Sequence, residues 1–278
     1  MTYLITNFYI NNNFKNYELR NQEFEKINIR IPVKAIYQIG DYVSVDIING
    51  RPQILDKVVR PDNYLDYYKH SVHDKLVLQG KIESYVNQIT NNNLKIIVEE
   101  LLFKYPDFYL MPAAKTIHHA YIGGLCEHTI SMLQVAEKMN EVYNFNLDLV
   151  YSGIILHDLA KVKELEKLGL TYSVTGNLIG HIVMISNQVE VIATQYEIES
   201  TEEIMCLQHI LLSHHGKLEY GAAKEPMTME AFVVSFIDEF DAKMNYLESS
   251  LKEIEEGTFT GPLFGFEKRK FYKMKKGE

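Results

Sequence analysis

The sequence has few cysteines and no long apolar run, and each absence excludes a class of protein. Its two cysteines, Cys126 and Cys206, lie far apart without CxxC spacing, so we expect free thiols in a reducing cytoplasm. No apolar run approaches the ~20 residues that span a bilayer, which argues against a membrane protein. The N-terminus lacks a basic region followed by an apolar stretch, so we expect no signal peptide.

The charge of the chain is acidic overall but unevenly distributed. The 278 residues carry a formal net charge of −9, which argues against a broad basic surface for duplex nucleic acid. Residues 1–60, however, contain eight Lys or Arg and six Asp or Glu, a net charge of +2. A basic cluster at residues 268–276 closes the chain, and both a solvated tail and a weak phosphate-attracting patch are open interpretations of it.

The first sixty residues are predicted to be β-rich. Short runs with β-branched or aromatic residues lie at 27–31, 34–39, 42–48 and 54–59, and turn signals separate them. Asn49-Gly50 predicts a hairpin between the last two runs. Pro61-Asp62-Asn63 marks a boundary, so we predict a small β-rich domain at 1–62 and a second domain at 63–278.

The second domain is predicted to be helical, which makes the protein mainly α. Apolar residues recur at helical spacing over 72–89, 93–104, 125–143, 147–159, 177–195, 201–213 and 228–251. The alternating run within residues 163–175 predicts a small hairpin, and loops are expected at 107–114 and 216–226. We find no internal repeat and no extended low-complexity segment.

Histidine and aspartate recur at points in this helical region that indicate a common centre. The residues are His128, His157, Asp158, His181, His214, His215 and Asp238. Each alone is ordinarily a core or capping residue, but an adjacent His157-Asp158 pair in an apolar helix is costly to bury unless it is paired or ligated. Repeating that cost on five helices predicts a metal centre. Imidazole and carboxylate ligands suit Mn, Fe, Zn, Ni or Co, and the absence of thiolates argues against a structural zinc site.

The order of these residues resembles that of a known superfamily. His128, His157-Asp158 and Asp238 follow the H…HD…D order of HD phosphohydrolases, and His181 with His214-His215 resembles its two-metal branch. The resemblance is closer to the YhaM-type 3′–5′ exoribonucleases. It rests on HHAYIGGLCEHT (118–129), GIILHDLAKVKEL (153–165), GNLIGH (176–181), SHHGKLEYG (213–221) and IDEFDAKM (237–244), and it covers about residues 104–245.

This resemblance implies a fold and an activity. It implies an OB-type nucleic-acid-binding fold ahead of the HD domain, in a reduced form because the N-terminal region is short. It also implies a divalent ion, with Mn²⁺ favoured, and release of nucleoside 5′-monophosphates from the 3′ end of single-stranded RNA, with DNA as a second polymer. Self-association into a homo-oligomer is a further implication.

We assign a role to each candidate site residue as a hypothesis. His128, His157, Asp158 and Asp238 would hold a first ion, and His181, His214 and His215 a second. Asp158 would bridge them, because a carboxylate has two oxygens whereas a neutral imidazole has one free nitrogen. Asp241 is expected to be structural, and the alternative is that it replaces Asp238 as the ligand.

Other residues are candidates for contact with the substrate. Lys161 follows His157 by one turn and is expected to contact a phosphate oxygen, where it would stabilise developing charge. The alternative is a surface lysine at a helix end. Further candidates for substrate contact are His118, His119, Glu219, Tyr220 and Lys224.

Two other functions remain open at this point. The first is an HD phosphohydrolase that acts on nucleotides or another small phosphoester. A role in cyclic-dinucleotide hydrolysis is disfavoured, because the Gly-Tyr-Pro signature of that branch is absent after His157-Asp158. The second is a nucleic-acid or nucleotide binding module with a residual metal site, against which the complete ligand set argues.

Overall fold

The fold is taken from a computed structural model, which describes residues 1–115 and 119–275. The predicted substrate residue His118 and Lys276 of the basic cluster lie outside the described residues. The described chain is mainly helical and begins with a β-rich part, as predicted. None of its described helices is long and apolar enough to cross a membrane.

Five antiparallel strands form the N-terminal sheet in the order β3-β2-β1-β4-β5. Their bounds are β1 (Thr2–Asn11), β2 (Phe14–Arg20), β3 (Lys26–Pro32), β4 (Tyr42–Ile48) and β5 (Arg51–Val58). Alternating side chains on one face, among them Ile5, Tyr17 and Val43, form the core of this sheet. The edge strands β3 and β5 also approach each other. The OB-like character of this part stays a prediction.

Three strand predictions need comment. The hairpin at Asn49-Gly50 is confirmed, since both residues have positive φ (52° and 73°) and join β4 to β5. β1 and β2 were not predicted. Their hairpin turns at Asn12 with φ 54°, which Asn tolerates. The predicted strand at 34–39 is wrong, because these residues form turns and irregular chain whose carbonyls accept bonds from side chains of β2.

The remaining elements are nine helices and one hairpin within the described ranges. They are α1 (Lys75–Val86), α2 (Asn92–Lys104), α3 (Gly124–Tyr143), α4 (Leu147–Leu156), α5 (Lys161–Glu164), β6 (Leu165–Glu166), β7 (Thr171–Tyr172), α6 (Val174–Ile179), α7 (His181–Gln195), α8 (Glu202–Ser213) and α9 (Met229–Lys252). Short 3-10 turns occupy Tyr64–Tyr67, Pro106–Tyr109, Leu218–Tyr220 and Phe264–Phe266. The predicted hairpin is confirmed, since β6 pairs with β7.

Two predicted helices end or break at the site. The helix at 177–195 is wrong as one element, because Gly180 adopts φ 75° and ψ 154° and separates α6 from α7. The helix at 147–159 ends at Leu156, and the short α5 follows. As a result His157 lies at the C-terminus of α4, and His181 begins α7.

Helix α4 is the centre of the helical domain. Every residue from Leu149 to Leu156 is buried, as expected for a helix that is apolar on all sides. α4 packs on α2, α3, α8 and α9. Its approach to α8 is close at Gly153, where an added Cβ would lie 2.6 Å from Cγ2 of Ile210. This close approach brings the rings of His157 and His214 to a centroid separation of 5.1 Å.

The sheet and the helical part share an apolar cluster. Leu4 and Tyr42 of the sheet pack with Tyr67, Tyr68 and Ile122. The Tyr68 hydroxyl also donates to the carbonyl of Lys167 at the β6–β7 turn (3.3 Å). The predicted boundary at 61–63 lies between β5 and the first 3-10 turn, and the division into two domains stays a prediction.

The described part of the basic C-terminal cluster folds back on the protein. The backbone amide of Thr260 donates to the carbonyl of Phe271 (2.9 Å), and the ammonium of Lys273 donates to the carbonyl of Ile254 (2.8 Å). The ring of Phe266 stacks on Tyr246 of α9 at 6.3 Å. This segment therefore differs from a fully solvated tail.

Candidate metal centre

Five helices bring the predicted ligands to one place. His128 comes from α3 and Asp238 from α9. The other four histidines and Asp158 lie at or beside the ends of α4, α7 and α8. His128, His157 and His214 are at most 1% exposed, and Asp158 is 4% exposed. The structure therefore gathers all seven predicted ligands around a buried centre.

The carboxylate of Asp158 lies between two groups of histidines. Its Oδ2 is 3.3 Å from Nε2 of His157. Its Oδ1 is 3.2 Å from Nε2 of His181 and 3.8 Å from Nε2 of His214. Asp238 faces the first group, with its Oδ1 3.1 Å from Nε2 of His128. Each oxygen of Asp158 thus faces a different set of imidazoles.

Backbone carbonyls fix the orientation of three of these rings. Nδ1 of His157 is 2.7 Å from the carbonyl oxygen of Ile154, and Nδ1 of His214 is 2.8 Å from that of Leu211. Nδ1 of His215 is 2.8 Å from the carbonyl of Tyr220. A carbonyl can only accept, so each Nδ1 carries a hydrogen, which leaves Nε2 as the ring atom that faces the centre.

Carboxylates hold the other two rings in the same way. Nδ1 of His181 is 2.9 Å from Oε1 of Glu164, which also accepts from the backbone amide of His181 (3.1 Å). Burial acts to raise the pKa of Glu164, but the hydrogen bonds from His181 outweigh it and lower the pKa. Nδ1 of His128 is 2.7 Å from Oδ2 of Asp241. Glu164 thus orients a candidate ligand, a role that the sequence analysis did not assign.

The donor set fits a bound divalent cation. Four buried atoms have no hydrogen-bond partner among the described residues: His157 Nε2, Asp158 Oδ1, His181 Nε2 and His214 Nε2. An unsatisfied buried polar atom costs ~1–3 kcal/mol, so such a cluster indicates a missing partner. The ligand atoms of His128, His157 and Asp158 lie within 4.8 Å of one another, as do those of His181, His214 and His215.

The ligand atoms of His119, His128 and Asp241 also lie within 4.8 Å of one another, but these polar atoms satisfy each other. Oδ2 of Asp241 is 3.1 Å from Nε2 of His119, and its Oδ1 accepts a bond from the hydroxyl of Ser131. His119 and Asp241 therefore support the ring of His128. This group resembles a ligand set less than the two groups built on Asp158 and on His181 do.

The electrostatics of the centre favour charged carboxylates and a neutral His214. Burial would raise the pKa of Asp158, but the Lys161 ammonium and the His157 ring outweigh it and hold the pKa well below its usual range. Burial lowers the pKa of His214, and the neighbouring His157 and His215 lower it further. A neutral imidazole is the form that binds metal.

Lys161 lies beside the centre, at a cavity of 260 Å³. Its ammonium is 2.6 Å from Oδ2 of Asp158 and donates to the carbonyl of Ala113 (2.9 Å). The cavity is also lined by His215, Asp238 and Tyr220. Lys161 is therefore a mostly buried residue of the site rather than a surface lysine.

The other predicted substrate contacts are placed differently. His119 is 7% exposed, with φ 44°, and Nδ1 of its ring is 2.8 Å from the Tyr121 hydroxyl. Tyr220 lines the cavity with its ring largely exposed. Glu219 is exposed, and its Oε1 lies 3.7 Å from the Lys217 ammonium. Lys224 is also exposed and does not line the cavity.

The comparison with known proteins agrees with this arrangement. A profile of the HD domain matches residues 125–243. The 3′–5′ exoribonuclease YhaM of Bacillus pumilus (strain SAFR-032) is 41% identical over 247 residues, which cover 87% of this chain and 77% of that protein. The chain belongs to the YhaM family. The 3′–5′ exoribonuclease YhaM of Bacillus subtilis (strain 168) is 37% identical over 251 residues, which cover 87% of this chain and 79% of that protein.

Listeria provides a further member of the YhaM family. The 3′–5′ exoribonuclease YhaM of Listeria welshimeri serovar 6b is 37% identical over 260 residues, which cover 90% of this chain and 82% of that protein. No solved structure is a significant match to the chain. The Listeria alignment covers 90% of the chain, so the family assignment extends well beyond residues 125–243.

Proposed function

We propose that the protein is a metal-dependent 3′–5′ exoribonuclease that releases nucleoside 5′-monophosphates from single-stranded RNA. One observation carries this proposal: the carboxylate of Asp158 lies between two histidine groups beside a cavity, in a chain of the YhaM family. DNA is the second polymer to be tested.

We assign two ions to the centre. His128, His157, Asp158 and Asp238 would hold one, and the other would be held by His181, His214, His215 and Asp158. When bound, two divalent ions would hold the scissile phosphate and make hydroxide available from water near neutral pH. The two oxygens of Asp158, which face different histidine groups, support its assignment as the bridge. Mn²⁺ is favoured, and Fe, Zn, Ni or Co suit the same ligands.

Lys161 is assigned a contact to a substrate phosphate oxygen. Burial would lower its pKa, but Asp158 outweighs this and raises it, so the ammonium is charged at neutral pH. A charged donor beside the cavity would stabilise negative charge that develops on the phosphate. Tyr220 borders the same cavity and offers an exposed ring on which a terminal base can stack. His118, His119, Glu219 and Lys224 stay predictions as substrate contacts.

The test is degradation of 5′-labelled RNA by metal-loaded protein. We expect a ladder shortened one nucleotide at a time from the 3′ end, with 5′-monophosphates as product. His157→Ala and Asp158→Ala should each remove metal and activity together, while Glu225→Gln, an exposed carboxylate outside the centre, should change neither. Full hydrolysis by both Ala variants would overturn the scheme.

Two alternatives give different results in this assay. Hydrolysis confined to mononucleotides or other small phosphoesters would identify a small-molecule HD phosphohydrolase. RNA binding without turnover across several divalent ions would identify a binding module with a residual metal site. The free cysteines Cys126 and Cys206 are consistent with a cytoplasmic location. Self-association is a further prediction, which light scattering would test.

A further inference from the structure

A second polar cavity lies between the N-terminal sheet and the helical domain. It measures 510 Å³ and is lined by Arg20 and Lys26 from the sheet and by Lys69 and Lys115 from the other side. Glu18 is the one carboxylate among its described lining residues. Four cations against one anion is unusual for a protein with a net charge of −9, and the surplus indicates an anionic ligand.

The cations in this cavity, which we call the basic pocket, lack carboxylate partners. None of the four forms an ion pair with a described residue within 4.0 Å. Nε of Arg20 is buried without a hydrogen-bond acceptor among the described residues. A buried guanidinium is costly when no acceptor balances its charge, and an oxyanion bound at its remaining N–H groups would offset that cost.

Arg20 and Lys26 also face each other directly across β2 and β3. Like charges at paired positions of antiparallel strands repel and destabilise the sheet. Aromatic rings hold Arg20 without neutralising it, since its Cζ lies 5.6 Å from the ring centroid of Tyr68 and 5.7 Å from that of Phe24. The structure thus keeps two cations together at a cost that a phosphate ligand would offset.

The basic pocket is joined to the metal centre by a short piece of chain. The carbonyl of Ala113 accepts the bond from Lys161, which contacts Asp158. Lys115 follows two residues later, and two residues span at most about 7 Å. A strand whose 3′ end occupies the metal centre can therefore place phosphates on its 5′ side within reach of the pocket.

We propose that the basic pocket binds backbone phosphates of the single-stranded RNA on the 5′ side of the nucleotide being removed. This inference rests on the proposed exoribonuclease function and adds the path of the substrate. Arg20 would bind a phosphate through its accessible N–H groups, and Lys26, Lys69 and Lys115 would supply further positive charge. A groove lined by cations and aromatic rings binds the backbone of single-stranded nucleic acid without sequence preference.

The experiment measures binding and degradation in parallel. Binding of a fluorescent 12-nucleotide RNA is followed by anisotropy as a function of salt, in an Asp158→Asn background that prevents turnover. We expect Arg20→Gln/Lys115→Gln to weaken binding at least tenfold and to reduce the salt slope by about 1.4, because each lost phosphate contact on a single strand contributes about 0.7. With Asp158 intact, the same double variant should raise KM for RNA while metal content stays unchanged.

Matched variants separate the pocket from charge and folding effects. Lys34→Gln/Lys75→Gln removes two exposed cations elsewhere and should bind RNA as the parent does. Arg20→Lys/Lys115→Arg keeps the charge and should retain most of the binding. If Arg20→Gln impairs folding, Lys69→Gln/Lys115→Gln tests the same pocket without changing the sheet.

The outcomes distinguish this inference from the proposed function. Unchanged RNA affinity and salt slope in the folded Gln variants would overturn the pocket, even where the parent protein degrades RNA. If the parent binds RNA through the pocket but never shortens it, the exoribonuclease proposal fails and the pocket stands.

Discussion

Oδ2 of Asp241 lies 2.7 Å from Nδ1 of His128, so a carboxylate holds this ring from the side opposite the metal centre. Asp238 lies one helical turn earlier on α9 and places its Oδ1 3.1 Å from Nε2 of the same ring. Two aspartates at i and i+3 share one helix face, which explains how they reach the two nitrogens of one imidazole. The geometry therefore favours Asp238 at the metal and Asp241 behind it.

We expect Asp238→Asn and Asp241→Asn to have different effects. Asp238→Asn removes a proposed ligand, so metal content and RNA hydrolysis should both be lost. Asp241→Asn keeps an oxygen that can accept from Nδ1 of His128, so the ion should still bind, with affinity lowered about 10- to 100-fold. Metal titration with activity at saturating Mn²⁺ is the measurement. If Asp241→Asn lost the metal completely while Asp238→Asn retained it, Asp241 would be the metal ligand and Asp238 the residue that orients His128.

Removal of metal should destabilise the protein. The centre buries unpartnered atoms of His157, Asp158, His181 and His214, which a cation would satisfy. An ion that binds the folded state alone at a free concentration 100 times its Kd stabilises it by about 2.7 kcal/mol. Thermal unfolding should therefore occur at lower temperature with EDTA and recover with Mn²⁺. In the His157→Ala variant the EDTA effect should be much smaller, and an equally large shift there would place the stabilising ion elsewhere.

The helical fold and the candidate ligands could be recognised from the sequence because their signals are local. His157-Asp158 lies within an apolar run of the sequence, and the cost of burying this pair is visible without a structure. The orienting residues were harder to predict. Glu164 reaches His181 across 17 positions of sequence, through a helix break at Gly180 that a continuous apolar pattern conceals. Such contacts depend on how separate helices pack, which periodicity does not record.

The N-terminal sheet was predicted only in part for a different reason. β1 and β2 turn at Asn12, and an asparagine-rich segment is less easily identified as a hairpin than Asn49-Gly50 is. The basic pocket could not be predicted at all, because Arg20 and Lys115 come from different parts of the fold. Only Arg20 and Lys26 of its four cations belong to the small positive excess of residues 1–60.

Gly153 is expected to be intolerant of a side chain. An added Cβ would lie 2.6 Å from Cγ2 of Ile210, so Gly153→Ala should force α4 and α8 apart and lower the free energy of unfolding by about 1–3 kcal/mol. The separation would also disturb the neighbouring rings of His157 and His214, so metal affinity should fall.

A double-mutant cycle tests the cause of that destabilisation. Ile210→Ala removes the clashing methyl group and by itself costs about 2–5 kcal/mol through the cavity that it leaves. If the clash is responsible, Gly153→Ala/Ile210→Ala should cost less than the sum of the two single changes. Additive costs in urea unfolding would assign the effect of Gly153→Ala to something other than this contact.

The last prediction concerns pH and follows from His128. Burial lowers its pKa, but the hydrogen bonds that the ring donates to Asp238 and Asp241 outweigh this and raise the pKa from 6.5 to about 9 in the metal-free protein. Protonated His128 therefore adds stability that is fully present below pH 6.5 and is lost as the pH rises through 9. We expect the unfolding temperature of metal-free protein to fall over this window.

Metal affinity should change in the opposite direction, because an ion must displace the proton from His128. Mn²⁺ should bind more tightly at pH 9 than at pH 7. Binding at pH 7 should also release protons, and calorimetry in buffers of different ionisation enthalpy measures that release. Asp241→Asn removes one of the two charges that raise the pKa of His128, so it should shift the affinity profile to lower pH. Equal Mn²⁺ affinity at pH 7 and pH 9, without proton release, would show that His128 is already neutral before the ion arrives.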